Sequence, residues 1–422
     1  MRIALLTYRG KPHVGGQGVY VRCLSKALCD LGHHVEVFSG QPYPVLDPRV
    51  PLHELPSLDI FNDHYPGRLP GFWEIQNLSD AAEVGSYLTG AFSEPLGFSL
   101  RAYSALKDRV GDFDLVHDNQ CLGYGLFAIE NAGLPVLGTI HHPITVDRRL
   151  EVTHAQNPLQ RFAKSRWYSF TAMQTRVAQR LQRILTVSQS SREDICRDHK
   201  VSPDKLAVVP VGVDPEVFRP LLTTTREPGR IITTTSSDVA MKGLRYLLEA
   251  VAELHRERNI ALWVIGKPKE GGTVAQTIDK LGIGNIVEFV SGVPEEQIVK
   301  MYAQSEVVVV PSLYEGFSLP AIEAMSCAAP LITTTGGALP EVVGLHNETA
   351  FLVEPGDAAA LVSMIRHVMD SPDLATKVGL AGRERVAARW SWRHTAQHTE
   401  TQYRLLLKHW QQPNHSILSC IR

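Results

Sequence analysis

Short apolar runs alternate with amphipathic stretches along almost the whole chain. The runs at 3–7, 136–140 and 307–310 show no polar alternation, the pattern of strands covered on both faces. Between them apolar positions recur at helical spacing. Val21, Leu24, Leu28 and Leu31 mark a helix over 18–31 that Gly32 stops. In the first half the pattern predicts strands at 3–7, 34–38, 114–117, 136–140, 184–188 and 207–210, with a helix over 99–110. The second half predicts strands at 231–235, 262–265, 287–290, 307–310, 331–335 and 351–353, with a helix over 244–255. Short strands alternating with helices make parallel, doubly wound sheets. The expected fold class is α/β: two doubly wound parallel-sheet, Rossmann-like domains facing across a cleft, where small-molecule sites are usual.

Three segments break the alternation. The stretch 210–221, with Pro210, Pro215 and Pro220, reads as the linker and sets a boundary between 1–212 and 213–385. The stretch 41–97 is rich in proline and aromatic residues, reads as irregular, and is expected to shape the binding cleft. The stretch 148–183 carries Arg148, Arg149, Arg161, Lys164, Arg166, Arg176, Arg180 and Arg183 against one acid, Glu151, with Trp167, Tyr168 and Phe170 interleaved. Such a segment is either a basic helix solvated on one face or a peripheral contact with an anionic membrane.

Composition narrows the class. With 422 residues, 44% hydrophobic and 20% charged, and a formal net charge of −2, the chain reads as globular and gives no hint of a nucleic-acid partner. Six cysteines without a CxxC pair argue against a disulfide framework or a zinc site and for a reducing cytosol. No signal peptide is read at the start, and no apolar run reaches the roughly eighteen residues of a membrane span. The expected location is the cytoplasm, at the inner face of the cell membrane if 148–183 touches lipid.

Candidate chemistry concentrates after predicted strands. In 311–330, PSLYEGFSLPAIEAMSCAAP, Glu315 and Glu323 have seven residues between them. Ser318 reads as a helix N-cap and Pro320 as a first-turn residue, so the amides of Phe317, Ser318 and Leu319 would line the gap between the carboxylates. Unpaired amides at a helix start attract anions, and carboxylates accept from hydroxyls, which suits a nucleotide sugar. An ordinary strand–loop–helix corner would look the same on spacing alone. Gly15 and Gly16 lie between the first strand and its helix, without the G-x-G-x-x-G spacing of a dinucleotide site. Lys242 stands close to a helix start, where its charge opposes the dipole and a bound anion would relieve the tension. His117, Asp118, Asn119 and Gln120 are read as following one strand's carboxyl end, and His141 and His142 as following the next. Asp112 and Asp114 mimic an Asp-x-Asp metal motif but read as a turn; no metal is expected.

Taken together, GGQGVYV (15–21), LGHHVEVF (31–38), VVPVGVDPEVFRP (208–220), KGLRYLLEAV (242–251), PSLYEGFSLPAIEAM (311–325), TTGGALPEVV (334–343) and FLVEPGD (351–357) resemble the family-4 retaining glycosyltransferases of GT-B fold. The resemblance runs from Met1 to about Leu407. It implies a nucleoside-diphosphate sugar as donor substrate, no cofactor, metal-independent transfer with retention, and a glycan or lipid acceptor on the N-terminal side. It further implies that 386–422 forms a helix crossing back to the N-terminal domain. By the same resemblance Glu323 would hold the ribose and Glu315 the sugar hydroxyls. Gly15, Gly16, Lys242, Gly316, Phe317, Ser318 and Leu319 would hold the diphosphate. Gly292 and Val293 would lie at the base, and His141 would contact the sugar at the reacting centre. His141, Lys242 and Glu315 are thus the expected catalytic set, with Gln17, Asp118, Asn119 and His142 on the acceptor side.

Two positions depart from the family. Ser236 and Ser237 stand where a Gly-Arg pair usually braces the diphosphate, and Ala328 stands where a glycine is usual, a change expected to be benign. The serines motivate an alternative reading as a catalytically weakened nucleotide-sugar-binding protein. A glycoside hydrolase using Glu315 and Glu323 conflicts with the tandem parallel sheets, and a nicotinamide oxidoreductase lacks its glycine fingerprint.

Overall fold

The computed structural model describes residues 1–11, 16–61, 67–153, 155, 157–235 and 238–410. The chain forms two compact units. The first comprises Met1–Val187, Ser191–Val209 and the residues from 395 onward, and the second Ser188–Ser190 and Pro210–His394. The observed divisions, at 209/210 and 394/395, lie three residues before the expected 212/213 and nine residues after the expected 385/386. The later second division has a local cause: the Val213 amide donates to Trp390 O at 3.1 Å and Val213 bridges Ser391, so Trp390 and Ser391 stay with the second unit.

In the first unit the described strands are β1 (Arg2–Thr7), β2 (His34–Ser39), β3 (Leu52–Glu54), β4 (Leu115–Asn119), β5 (Val136–Ile140), β6 (Arg183–Thr186) and β7 (Leu206–Val208). They form one parallel sheet in the order β3-β2-β1-β4-β5-β6-β7. Its helices are α1 (Gly16–Asp30), α2 (Leu78–Leu88), α3 (Glu94–Leu106), α4 (Gly125–Asn131), α5 (Thr145–Thr153), α6 (Pro158–Trp167), α7 (Thr171–Arg180) and α8 (Gln189–His199). β1 and β5 are buried almost throughout, as their apolar runs require, and β4 is buried although its last three residues are polar.

The segment 41–97 is more regular than expected, since it holds β3, a single-turn helix at Phe72–Glu74, α2 and the start of α3. α2 escapes a hydrophobic-periodicity reading because its buried residues are Asp80 and Glu83. Both meet the Arg101 guanidinium of α3 at 2.6 Å. α3 begins at Glu94, ahead of the expected start at 99. Glu94 holds the Arg9 guanidinium at 2.5 and 2.6 Å, tying α3 to the end of β1.

In the second unit β8 (Glu227–Thr234), β9 (Ala261–Ile265), β10 (Val287–Val290), β11 (Ser305–Val310), β12 (Leu331–Thr334) and β13 (Phe351–Val353) form a parallel sheet in the order β10-β9-β8-β11-β12-β13. Its helices are α9 (Leu244–Leu254), α10 (Thr273–Leu281), α11 (Glu295–Gln304), α12 (Leu319–Ser326), α13 (Leu339–Val343), α14 (Ala358–Met369) and α15 (Pro372–Arg389). α9 buries Leu244, Leu247, Leu248, Val251 and Leu254, the stripe its spacing predicts. The last helix, α16 (Trp392–Trp410), buries Thr399, Tyr403 and Leu406, and in the first unit the Tyr403 hydroxyl lies 2.6 Å from His117 Nδ1.

Candidate active site

Each sheet has a point where the strand order reverses, and in open α/β sheets ligands bind outside the carboxyl ends there. In the second unit that point lies between β8 and β11. After β8 the chain makes a short turn, Ala240–Lys242, and enters α9 through Gly243 at φ 66°. A Cβ on Gly243 would stand 1.9 Å from Pro311 O, so only glycine lets this turn lie against the loop after β11.

That approach brings Lys242 and Glu315 together. Lys242 Nζ is 2.9 Å from Glu315 Oε1 and 3.1 Å from Oε2, and Ser312 Oγ donates to Oε1 at 2.7 Å. Glu315 O accepts from the Ala338 amide at 2.9 Å, which ties the same loop to the turn after β12. At the start of α9 the ammonium thus faces a carboxylate of the protein itself. Ser312 carried no signal of its own in the sequence.

α12 starts at Leu319 with Pro320 in its first turn, as expected, and Ser318 occupies the cap position. The expected side-chain cap is absent. Ser318 lies at φ 92°, in strained left-handed territory, and its buried Oγ has no hydrogen-bond partner. The amides of Phe317, Ser318 and Leu319 also make no hydrogen bond among the described residues. Glu323 is half-buried one turn into α12. Gly292, at φ 70°, and Val293 follow the end of β10. Ser236 and Ser237 lie outside the described residues.

In the first unit the order reverses between β1 and β4. Gly16 opens α1 with open space where a Cβ would stand, and Gln17 follows in the first turn; Gly15 lies outside the described residues. β4 runs two residues past the expected end at His117, so that His117, Asp118 and Asn119 are its last residues. Strand alternation then separates them. Asp118 is fully buried, accepts from the Leu122 amide at 2.9 Å through Oδ2, and has no partner at Oδ1. Burial pushes its carboxyl up to about 7. It lines no acceptor surface, contrary to expectation, because it faces the core while His117 and Asn119 face the other way.

On that other face His117 is buried, with Nδ1 on Tyr403 and Nε2 2.6 Å from Thr139 Oγ1. His141, one residue past β5, is held on three sides. Its amide donates to Gln120 Oε1 at 2.8 Å, its Nε2 lies 2.7 Å from Asn119 Oδ1, and the Tyr20 ring meets it edge-on at 4.7 Å. Burial, and after it the neighbouring His142, push its imidazole down to about 3, which favours the neutral ring. His142 turns instead to Asp147, with 3.0 Å between Nε2 and Oδ2. Tyr20 was read only as part of a helix.

Most cations of the basic segment are engaged within the first unit. Arg149 meets Asp198 at 2.7 Å, Lys164 meets Glu151 at 2.6 Å, Arg166 donates to Thr89 O, Arg176 to Tyr124 and Arg183 to Asp204 O, while Arg180 stacks on Phe127. Arg148 and Arg161 have no side-chain partner among the described residues. No described helix is long and apolar enough to cross a membrane. The Asp-x-Asp look-alike resolves into a turn and a strand edge, Asp112 binding Arg109 and Asp114 binding Arg2, each at 2.8 Å. No group of three or more His, Cys, Asp or Glu among the described residues could hold a metal ion.

Known proteins share this arrangement. Residues 14–217 match the model of Glycosyltransferase Family 4, and residues 223–385 match that of the glycosyl transferases group 1. An MMP alpha-(1->4)-mannosyltransferase of Mycolicibacterium hassiacum is 48% identical over 96% of this chain and 98% of its own. A D-inositol 3-phosphate glycosyltransferase of Streptomyces scabiei is 27% identical over 90% and 86%. Among solved structures, a sucrose-phosphate synthase of Thermosynechococcus elongatus superposes with a TM-score of 0.75 at 24% identity, covering 97% of this chain and 99% of that one. The fold is thus GT-B, and these findings lend nothing to the weakened-binder alternative. At 48% identity over nearly its full length, the chain belongs to the group 1, family 4 glycosyltransferases and is a glycosyltransferase.

Proposed function

We propose that the chain transfers mannose from a nucleoside-diphosphate mannose to a 4-hydroxyl of a glycan acceptor, with retention and without a metal ion. The observation that carries the donor side is the group of three unpaired amides at Phe317–Leu319 beside the Lys242–Glu315 pair. The leaving diphosphate gains negative charge as the glycosidic bond breaks. Amides and an ammonium aimed at it would stabilise the transition state more than the ground state. That positive charge comes from the protein itself, which is the basis for metal independence. Glu323 and the Gly292–Val293 turn would take ribose and base, and Glu315 the sugar hydroxyls.

The sugar and linkage rest on the M. hassiacum relative's named activity. An α-linked donor giving an α product is transfer with retention. No carboxylate nucleophile is required if the acceptor attacks on the face the diphosphate leaves and the diphosphate takes its proton. In the first unit His141 is the residue proposed to contact the sugar.

The test is turnover with a panel of guanosine- and uridine-diphosphate mannose and glucose, an α-mannoside acceptor and excess chelator. We expect mannose transfer that the chelator leaves unchanged and an α-(1→4) linkage in the product's NMR spectrum. A β product, or activity abolished by chelation and restored by a divalent ion, would overturn it.

We extend the proposal to a peripheral membrane contact through α6. Leu159 and Phe162 are 78% and 65% exposed there, with Arg161 between them, which suits an interfacial helix.

A further inference from the structure

The surroundings of His141 fix more than its position. Asn119 reaches it from the end of β4, and the orientation of that amide is decided by its other end. Asn119 Nδ2 lies 3.3 Å from Gln17 O and 3.4 Å from Thr7 Oγ1. Gln17 O can only accept, and the Thr7 hydroxyl spends its proton on Arg9 O at 3.0 Å, leaving it an acceptor too. Both demand an N–H from Asn119. Its oxygen therefore faces His141, and at 2.7 Å the imidazole must donate through Nε2–H. A neutral imidazole protonated on Nε2 has a bare lone pair on Nδ1. No described residue bonds that Nδ1, and it is not among the buried atoms left without a partner, so it is open to solvent.

We propose that Asn119 is a positioning residue that locks His141 as the Nε2–H tautomer, leaving Nδ1 to accept a hydrogen bond from a substrate hydroxyl. The tautomer follows from the geometry of the first unit alone; only the substrate contact rests on the reading of His141 given above. The groups around the ring cannot replace this control. Tyr20 from α1 meets it edge-on, and Ser191 of α8 donates to its carbonyl at 3.1 Å. His117 from β4 is committed to Tyr403 of α16 and to Thr139. His142, next in the chain, is committed to Asp147 of α5. Burial first, and His142 after it, disfavour a charge on His141.

An aspartate at 119 keeps the acceptor oxygen but adds a negative charge, which stabilises the imidazolium and places a proton on Nδ1. The experiment uses the full chain labelled with nitrogen-15 histidine, the His141 signals being assigned by difference from a His141→Gln variant. Long-range proton–nitrogen correlations are followed from about pH 5.5 to about 8.5. The wild type should show a neutral Nε2–H imidazole that does not titrate, and Asn119→Asp an imidazole that charges within the range. In parallel, kcat/KM of Asn119→Asp should fall as pH drops through that new ionisation, a limb the wild type lacks. Asn119→Ala should lose at least about tenfold in kcat at every pH. An Nδ1–H tautomer or a titrating His141 in the wild type would overturn the proposal. So would an Asn119→Asp enzyme whose imidazole charges without changing the pH profile, which removes the Nδ1 contact. Absence of mannose transfer by the wild type would instead sink the functional reading while leaving the tautomer to the spectra.

Discussion

Lys242 Nζ lies between 2.9 and 3.1 Å from both oxygens of Glu315, closing a pair between the turns that leave β8 and β11. The two members are unequally shielded, the lysine side chain 30% exposed and the glutamate 11%. The ammonium that the donor reading aims at the diphosphate is thus shared with a carboxylate of the protein. Its field at the nearby amides depends on how firmly Glu315 holds it, so the pair sets both position and charge at the proposed donor site.

Removing either partner should therefore have unequal effects on folding. Lys242→Met strands a shielded carboxylate and should destabilise by ~2 kcal/mol, the range for a buried group left unsatisfied. Glu315→Gln keeps the Ser312 contact and leaves an ammonium that reaches water, so its loss should be smaller. Denaturant titration of both singles and the double should give a coupling energy of roughly 1–3 kcal/mol, and coupling near zero would mean the pair is incidental. Turnover should drop more than about tenfold in both singles.

Glu323→Ala should weaken binding of the nucleoside diphosphate, with or without its sugar, by roughly ten- to a hundredfold, the range for a lost charge-assisted hydrogen bond. Glu315→Ala should chiefly lower kcat. Isothermal calorimetry with the free nucleoside diphosphate separates the two, and equal affinity in Glu323→Ala would remove the ribose assignment.

Asp118 predicts a pH-dependent stability. Burial raises its carboxyl from 3.8 to about 7 in the folded chain. Between those values the native state keeps a proton that the unfolded state has lost, so its contribution is full below about pH 4 and is lost as pH rises through about 7. Asp118→Asn should abolish this component. The melting temperature of the variant relative to wild type should climb from pH 4 to about 7 and then level off; a pH-independent difference would contradict the shift.

Ala328 sits at φ 55°, the left-handed region where a side chain costs roughly 1–2 kcal/mol. Its carbonyl is pinned by Arg226 at 3.0 Å, so the backbone has little room to relax. The substitution expected to be benign therefore carries strain. Ala328→Gly should stabilise the protein by about 1 kcal/mol after the flexibility glycine adds to the unfolded chain. An unchanged or lower melting temperature would show that the strain is absorbed.

The membrane contact proposed for α6 is checked by co-flotation with phosphatidylserine-containing vesicles. Binding should occur at low salt and be lost in Leu159→Ser/Phe162→Ser. It should weaken only modestly with salt, because most cations of 148–183 already have partners. No binding by the wild type at low salt would end the proposal.

How much was legible in the chain can be read from particular elements. β5 and β13 appear at the residues their apolar runs predict, β5 being buried on both faces and β13 on one with Leu352 half-buried on the other. α2 was invisible because its inward residues are Asp80 and Glu83, whose shared cation, Arg101, comes from another helix. Asp118 and Asn119 looked like residues beyond the strand because polar side chains at a strand end resemble a turn. As strand residues, His117 and Asn119 are satisfied by Tyr403 and Gln17 from distant points in the chain, and Asp118 by the Leu122 amide from the next turn.

By itself the sequence determined the two parallel sheets and their strand order of appearance, the helix start at Leu319–Pro320, and the motifs that mark the family. These are local properties, written in periods of two and 3.6 residues and in the dihedral preferences of Gly and Pro. Tertiary structure alone decided which charges meet. Lys242 and Glu315 are far apart in sequence and become partners because Gly243 lets two turns touch. Asp118 and Asn119 are adjacent in sequence and face opposite sides of a sheet. Pairing, burial and tautomer depend on atoms brought from elsewhere in the chain, and no local pattern encodes them.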